Sequence, residues 1–128
     1  MTYLLDTNVV LLVACGGLLS KAARQAISKG HNFLSTAVYW EVVIKNQRGK
    51  LGVGDPRIWW NAALRALQAR VVHITPEHVG ELISLRDLHR DPFDRILVAQ
   101  ALAERLTLVT RDETLVRYQI AGLNVVAA

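Results

Sequence analysis

The chain has 128 residues, 52% of them hydrophobic and 20% charged, with three prolines. That is enough for a single folded domain over residues 1–128 that buries roughly two-thirds of its unfolded surface, and it is unlike a disordered or low-complexity chain. A formal charge of +4 suits a basic surface, and one cysteine, Cys15, excludes an intrachain disulfide framework. The longest apolar stretch, residues 9–19, spans eleven positions and includes Gly16 and Gly17, short of the roughly 20 that a spanning helix needs. The first basic residue is Lys21, so neither a membrane span nor a secretory leader is expected, and a cytoplasmic location is.

In chain order, the sequence predicts a strand over residues 3–5, closed by Asp6, after which Thr7-Asn8-Val9-Val10 turns into a helix. A helix over 20–28, a strand over 32–34 and helices over 36–47 and 56–68 follow. Next come a strand over 71–74, helices over 76–85 and 92–105, a strand over 107–110, a helix over 113–119 and a last strand over 124–126. The strands are almost continuously apolar, as parallel strands covered on both faces are. Thr75-Pro76 and Asp91-Pro92 each pair an N-cap residue with Pro at the first helical position, while Gly30, Gly49 and Gly122 sit just past helix ends. This βαβα alternation predicts a three-layer α/β/α sandwich with a parallel sheet. Ligands of such sheets bind outside the carboxyl ends of the strands, where Asp6 and Asp112 fall.

Each acidic residue has two readings. Asp6 is either a charge favourable to the dipole of the next helix, with Thr7 or Asn8 as cap, or a site residue. Glu41 is alone among the apolar residues of 37–44; an i,i+4 pair with Lys45 would make it an ordinary surface residue, yet its apolar surroundings favour a polar cleft. Asp91 reads as an N-cap with Asp94 at N3 reaching back, which assigns Asp91 to structure and leaves Asp94 open. Asp112 either caps the helix that starts at Glu113 or joins a site, and Glu113 complements that helix's dipole. As a set, carboxylates gathered at one sheet edge without His or Cys suit a hard divalent ion such as Mg²⁺ or Mn²⁺.

Other chemistries fare worse. His31, His73, His78 and His89 lack paired zinc spacing, and His89 reads as a loop or packing residue. Neither Gly16-Gly17 nor Gly52-Val53-Gly54 forms a phosphate loop, and there is no GxSxG elbow. If four of the 11 acidic residues are withdrawn into one pocket, 15 basic side chains face 7 acidic ones, a surface of +8. A negative pit in a positive field suits a polyanion held by its phosphates.

The segments Leu4-Leu5-Asp6-Thr7-Asn8, Trp40-Glu41-Val42-Val43-Ile44-Lys45, His89-Arg90-Asp91-Pro92-Phe93-Asp94-Arg95-Ile96-Leu97-Val98-Ala99-Gln100-Ala101 and Leu108-Val109-Thr110-Arg111-Asp112 resemble, in order, the four motif blocks of PIN-domain nucleases, and more narrowly the VapC-type toxins of bacterial toxin–antitoxin pairs. The resemblance implies a sheet of strand order 3-2-1-4-5 and an endoribonuclease that depends on Mg²⁺ or Mn²⁺. It implies Asp6, Glu41, Asp94 and Asp112 as the catalytic and metal-holding acids, with Asn8 and Thr110 as supporting polar residues. It further implies a homodimer inhibited by a small antitoxin. Arg48, Lys50, Arg90, Arg95 and Arg111 flank the blocks and are the candidate RNA phosphate contacts. Trp59 and Trp60 are expected on a dimer or antitoxin surface. Two alternatives are a PIN-like domain in RNA processing or binding without a toxin role, and a receiver-like phosphoacceptor. The receiver needs an acidic pair after the first strand and a lysine after the last, and the chain has neither.

Overall fold

A computed structural model describes residues 1–88 and 91–128; His89 and Arg90, both singled out above, lie outside the described residues. Strand β1 (Thr2–Leu5) runs parallel between β2 (His31–Ser35) and β4 (Thr107–Thr110), β3 (Arg70–Val72) adds beyond β2, and β5 (Val125–Ala127) adds beyond β4. The sheet is parallel throughout, in the order β3-β2-β1-β4-β5, as expected. Leu4, Leu5, Leu34, Leu108 and Val109 have no exposed surface, which is why the strands are apolar without alternation.

Helices α1 (Thr7–Ala14), α2 (Lys21–Lys29), α3 (Thr36–Gln47) and α4 (Pro56–Ala66) fill the connections from β1 to β3. After β3 come α5 (Pro76–Glu81), α6 (Pro92–Glu104) and α7 (Glu113–Arg117). Since parallel crossovers are right-handed, the first four helices cover one face of the sheet and the last three the other. All three prolines open a helix, at Pro56, Pro76 and Pro92, where the missing N–H costs nothing. Leu97, Val98, Ala99, Gln100 and Ala101 of α6 are wholly buried, so that helix is a core element more than a surface one.

The departures from expectation fall at element ends and have local causes. β3 takes in Arg70, which pairs with Phe33, and loses His73 and Ile74, because the chain must turn into the Thr75 cap. The helix expected over 76–85 stops at Glu81 and continues as a 3₁₀ turn, Leu82–Ser84; Gly80 weakens it, and Arg95 donates to the carbonyls of Leu82, Leu85 and Leu88. Helix α4 ends two residues early as the chain passes into a left-handed conformation at Gln68 (φ 48°), and Gly122 (φ 91°) turns the loop before β5 rather than ending α7. Trp60 is a correction: it is buried and stacked on Tyr39, ring centres 4.9 Å apart, with Trp59 partly buried against the core. Trp60 serves this chain's own packing, not an outer surface.

Candidate active site

The carboxyl ends of β1 and β4 lie side by side, with Leu5 opposite Val109 and the Asp6 N–H donating to Val109 O at 3.0 Å. That ladder puts Asp6 next to Thr110. Asp6 is the N-cap of α1, accepting from the Thr7 N–H at 2.7 Å through Oδ1, while the Thr110 hydroxyl donates to its Oδ2 at 2.7 Å. The cap is therefore Asp6 itself and not Thr7 or Asn8. The Thr110 oxygen in turn accepts from the Asp112 N–H at 3.0 Å, so one hydroxyl ties Asp6 to the loop that carries Asp112. Burial pushes the Asp6 pKa above the ordinary carboxylate value; the Thr110 and Thr7 hydrogen bonds oppose this, and the charges of Glu41 and Asp112 add to it.

Glu41 lies on α3, one and a half turns from the end of β2, and is only 5% exposed. Both of its oxygens are held. The Thr7 hydroxyl donates to Oε1 at 2.6 Å, and Lys45 Nζ stands 2.7 Å from Oε2. The i,i+4 pair with Lys45 is thus real, but it is not a solvated surface pair: a buried carboxylate needs a partner, and here it has a charged one and a hydroxyl. Burial alone would lower the Lys45 pKa, but the hydrogen bond and charge of Glu41, with the charges of Asp91 and Asp94, raise it.

Asp94 sits in the first turn of α6, buried, with Asp91 as the N-cap accepting from the Phe93 and Asp94 amides. Its pKa is pushed up to about 8, first by burial and then by the charges of Asp6, Asp91, Asp112 and Glu41. The charges of the other three expected acids, and of Asp91, therefore all reach Asp94, and those of Glu41 and Asp112 reach Asp6 as well. Asp112 caps α7, accepting from the Thr114 and Leu115 amides. Helices α3 and α6 meet beside the acids, where Trp40 and Phe93 pack edge to face at 5.2 Å.

The other expected residues divide. Thr110 is tied into the cluster; Asn8 is exposed on the first turn of α1, and the hydrogen bonds of the described residues do not involve its side chain. Arg95 is turned away from a phosphate role, its guanidinium spent on loop carbonyls. Arg48 and Lys50 are exposed beyond the end of α3, roughly 10 Å along the helix axis from Glu41, and Arg111 is exposed beside Asp112. Thr7 and Lys45 are site residues that the sequence places only locally, Thr7 as a cap and Lys45 as an i,i+4 partner; both lie inside the motif blocks that carry the acids.

Among the described residues, no three His, Cys, Asp or Glu side chains stand close enough together to cage a metal ion in these side-chain positions. The donor set nevertheless suits a hard divalent cation in chemistry and charge. It is all oxygen, and the neighbouring negative charges that add to burial in raising the Asp94 pKa are what a cation would offset. No helix of the described residues is long and apolar enough to cross a membrane.

Comparison with known proteins covers nearly the whole chain. The model of the PIN domain matches residues 3–121. The chain is similar to Ribonuclease VapC22 of Mycobacterium tuberculosis, 31% identical over 117 residues that cover 89% of each chain. Among solved structures it is similar to VapBC2 of Rickettsia felis bound to a DNA fragment from their promoter, with TM-score 0.73 and 17% identity over 99% of this chain and 98% of that one. It is also similar to VapBC-5 of Mycobacterium tuberculosis, a member of the VapBC family of toxin–antitoxin systems, with TM-score 0.67 and 15% identity over 99% and 98%. At those identities the structures speak for the fold. The extent of the family match, together with the sheet order and the acids at its carboxyl edge, leads to one conclusion: the chain belongs to the PIN domain family.

Proposed function

We propose that this protein is a metal-dependent endoribonuclease and the toxin of a toxin–antitoxin pair, a homodimer held inactive by a small antitoxin. The observation that carries the nuclease reading is the mutual crowding of Asp6, Glu41, Asp94 and Asp112 at the carboxyl edge of a parallel sheet. The toxin reading rests on the likeness to a VapC ribonuclease and to VapBC complexes.

In this reading Asp6, Asp94 and Asp112 would hold Mg²⁺ or Mn²⁺, with Glu41 behind them. When bound, a hard divalent ion eases deprotonation of a water and offsets charge on the phosphate. The chain's residues do the rest. Thr110 and the Thr7 amide fix the two oxygens of Asp6, so its carboxylate does not turn away. Thr7 and Lys45 hold Glu41 where its remaining lone pairs can orient the attacking water in line with the leaving oxygen. Asp94 must give up its proton before it can hold a cation, and with a metal-free pKa of about 8 the affinity for the cation should rise from neutral to mildly alkaline pH.

The test is cleavage of single-stranded RNA by purified protein with and without Mn²⁺. Asp6→Asn and Asp94→Asn should each lose activity by more than the roughly 100-fold that loss of an outer-shell partner costs, with unchanged circular dichroism. An Asp94→Asn protein that cleaves as well as wild type would sink the assignment. Expression alone and beside the neighbouring reading frame tests the toxin role: growth arrest relieved by the neighbour is expected, and absence of arrest would favour an RNA-processing role.

A further inference from the structure

Among the basic side chains of the described residues that flank the motif blocks, Lys45 is the one seated on the acidic set. Its ammonium lies 2.7 Å from Glu41 Oε2, whereas Arg48, Lys50 and Arg111 are exposed away from that contact and Arg95 is spent on loop carbonyls. The two members of the pair differ in setting: the Glu41 side chain is 7% exposed and that of Lys45 is 37% exposed. The Lys45 side chain therefore reaches solvent while its ammonium rests against the carboxylate. It carries three N–H donors, and the Glu41 bond uses one. A phosphodiester approaching several carboxylates is repelled unless a cation stands at the entrance, and a lysine there acts as a point charge for phosphate.

We propose that Lys45 is the residue that receives the phosphodiester, its ammonium shared between Glu41 and a non-bridging phosphate oxygen of the polynucleotide. The inference rests on the nuclease reading above and deepens it: among the described residues, Lys45, rather than Arg48, Lys50, Arg95 or Arg111, places the substrate. Lys45 then has two effects of opposite sign. It attracts the anionic substrate, and its positive charge, set on Glu41 and felt by Asp94, opposes that of a divalent cation held by the neighbouring acids.

The experiment compares wild type, Lys45→Met and Lys45→Arg by steady-state cleavage of a fluorescent single-stranded RNA at saturating Mn²⁺ over a range of salt, and by Mn²⁺ binding followed by electron paramagnetic resonance. Lys45→Met should raise KM about tenfold or more, and the slope of log KM against log salt should fall by about 0.7, one ionic contact to a single strand. It should bind Mn²⁺ at least as tightly as wild type, because an opposing positive charge is gone, and Lys45→Arg should recover most of the KM. The proposal is overturned if Lys45→Met leaves KM and the salt slope unchanged. Weakened Mn²⁺ binding with normal KM at saturating metal also overturns it, since Lys45 would then only position Glu41. A wild-type protein that binds Mn²⁺ and cleaves no RNA would instead overturn the nuclease reading and remove the ground for this inference.

Discussion

Helix α6 has a carboxylate near each end, and the two are treated in opposite ways. Asp94 stands in the first turn, where the helix dipole favours a negative charge, yet burial and four neighbouring acids push its pKa up to about 8. Glu104 stands at the other end, where the dipole disfavours it, and is settled: His78 Nε2 lies 3.1 Å from Glu104 Oε1. His78 is itself almost fully buried, and its Nδ1 accepts from the Thr75 N–H at 3.1 Å and lies 3.3 Å from Gln100 Nε2. Two donors at Nδ1 leave the proton on Nε2, so a neutral imidazole donates to Glu104. The C-terminal end is arranged for stability. The N-terminal end gathers carboxylates whose charges disfavour one another, a pattern that clusters at functional sites.

Three substitutions set the two ends against each other, in order of expected effect. His78→Ala leaves the Thr75 N–H and Gln100 buried without their acceptor and should cost about 2–3 kcal/mol in urea unfolding, with cleavage per folded molecule unchanged; a tenfold loss of activity would show that the ends are coupled. Asp94→Asn should act the other way. Because the folded Asp94 pKa lies above its unfolded value of 3.8, its contribution is fully present below pH 4 and is lost as pH rises towards 8, by at most about 1.4 kcal/mol per pH unit. Metal-free wild type should therefore lose stability over that window. The Asp94→Asn protein should follow a flatter course and be more stable at pH 8 by on the order of 2 kcal/mol; equal pH profiles would contradict the crowding described. Glu104→Gln keeps an acceptor for His78 at a side chain 47% exposed, and should shift stability by no more than about 0.5 kcal/mol. A larger loss by thermal denaturation would mean that Glu104 is charged for a reason beyond this contact.

The strands, the sheet order and the acids were legible because they depend on patterns short enough to read: apolar runs, Pro and cap residues at helix starts, and motif blocks. Partners from distant segments were not. Nothing in Tyr39 or Trp60 taken singly says that the two rings stack, so Trp60 reads as a surface aromatic until the fold closes over it. Thr7 and Lys45 read only locally because an i,i+4 Glu–Lys pair and a helix-start threonine each have an ordinary local explanation, and only the approach of α1 to α3 makes them co-holders of Glu41. Arg95 shows the converse: charge beside a motif suggests substrate, while its length lets it reach back over the loop after α5. For His78, the Thr75-Pro76-Glu77-His78 run did announce a helix start, but not that the imidazole would complete the capping box in place of Glu or Gln.

The contact between Asp6 and Thr110 has a metric consequence. These residues extend neighbouring rungs of the β1–β4 ladder, so the gap across which they face each other is the spacing of paired strands, about 4.8 Å, and it cannot be widened without breaking backbone hydrogen bonds. The sheet therefore acts as a gauge block for this edge of the site. Evolution can retune what enters from α3, α6 and the loop before α7, but the Asp6 jaw is machined into the backbone, and a longer acid in its place would overshoot Thr110 rather than stretch the gap.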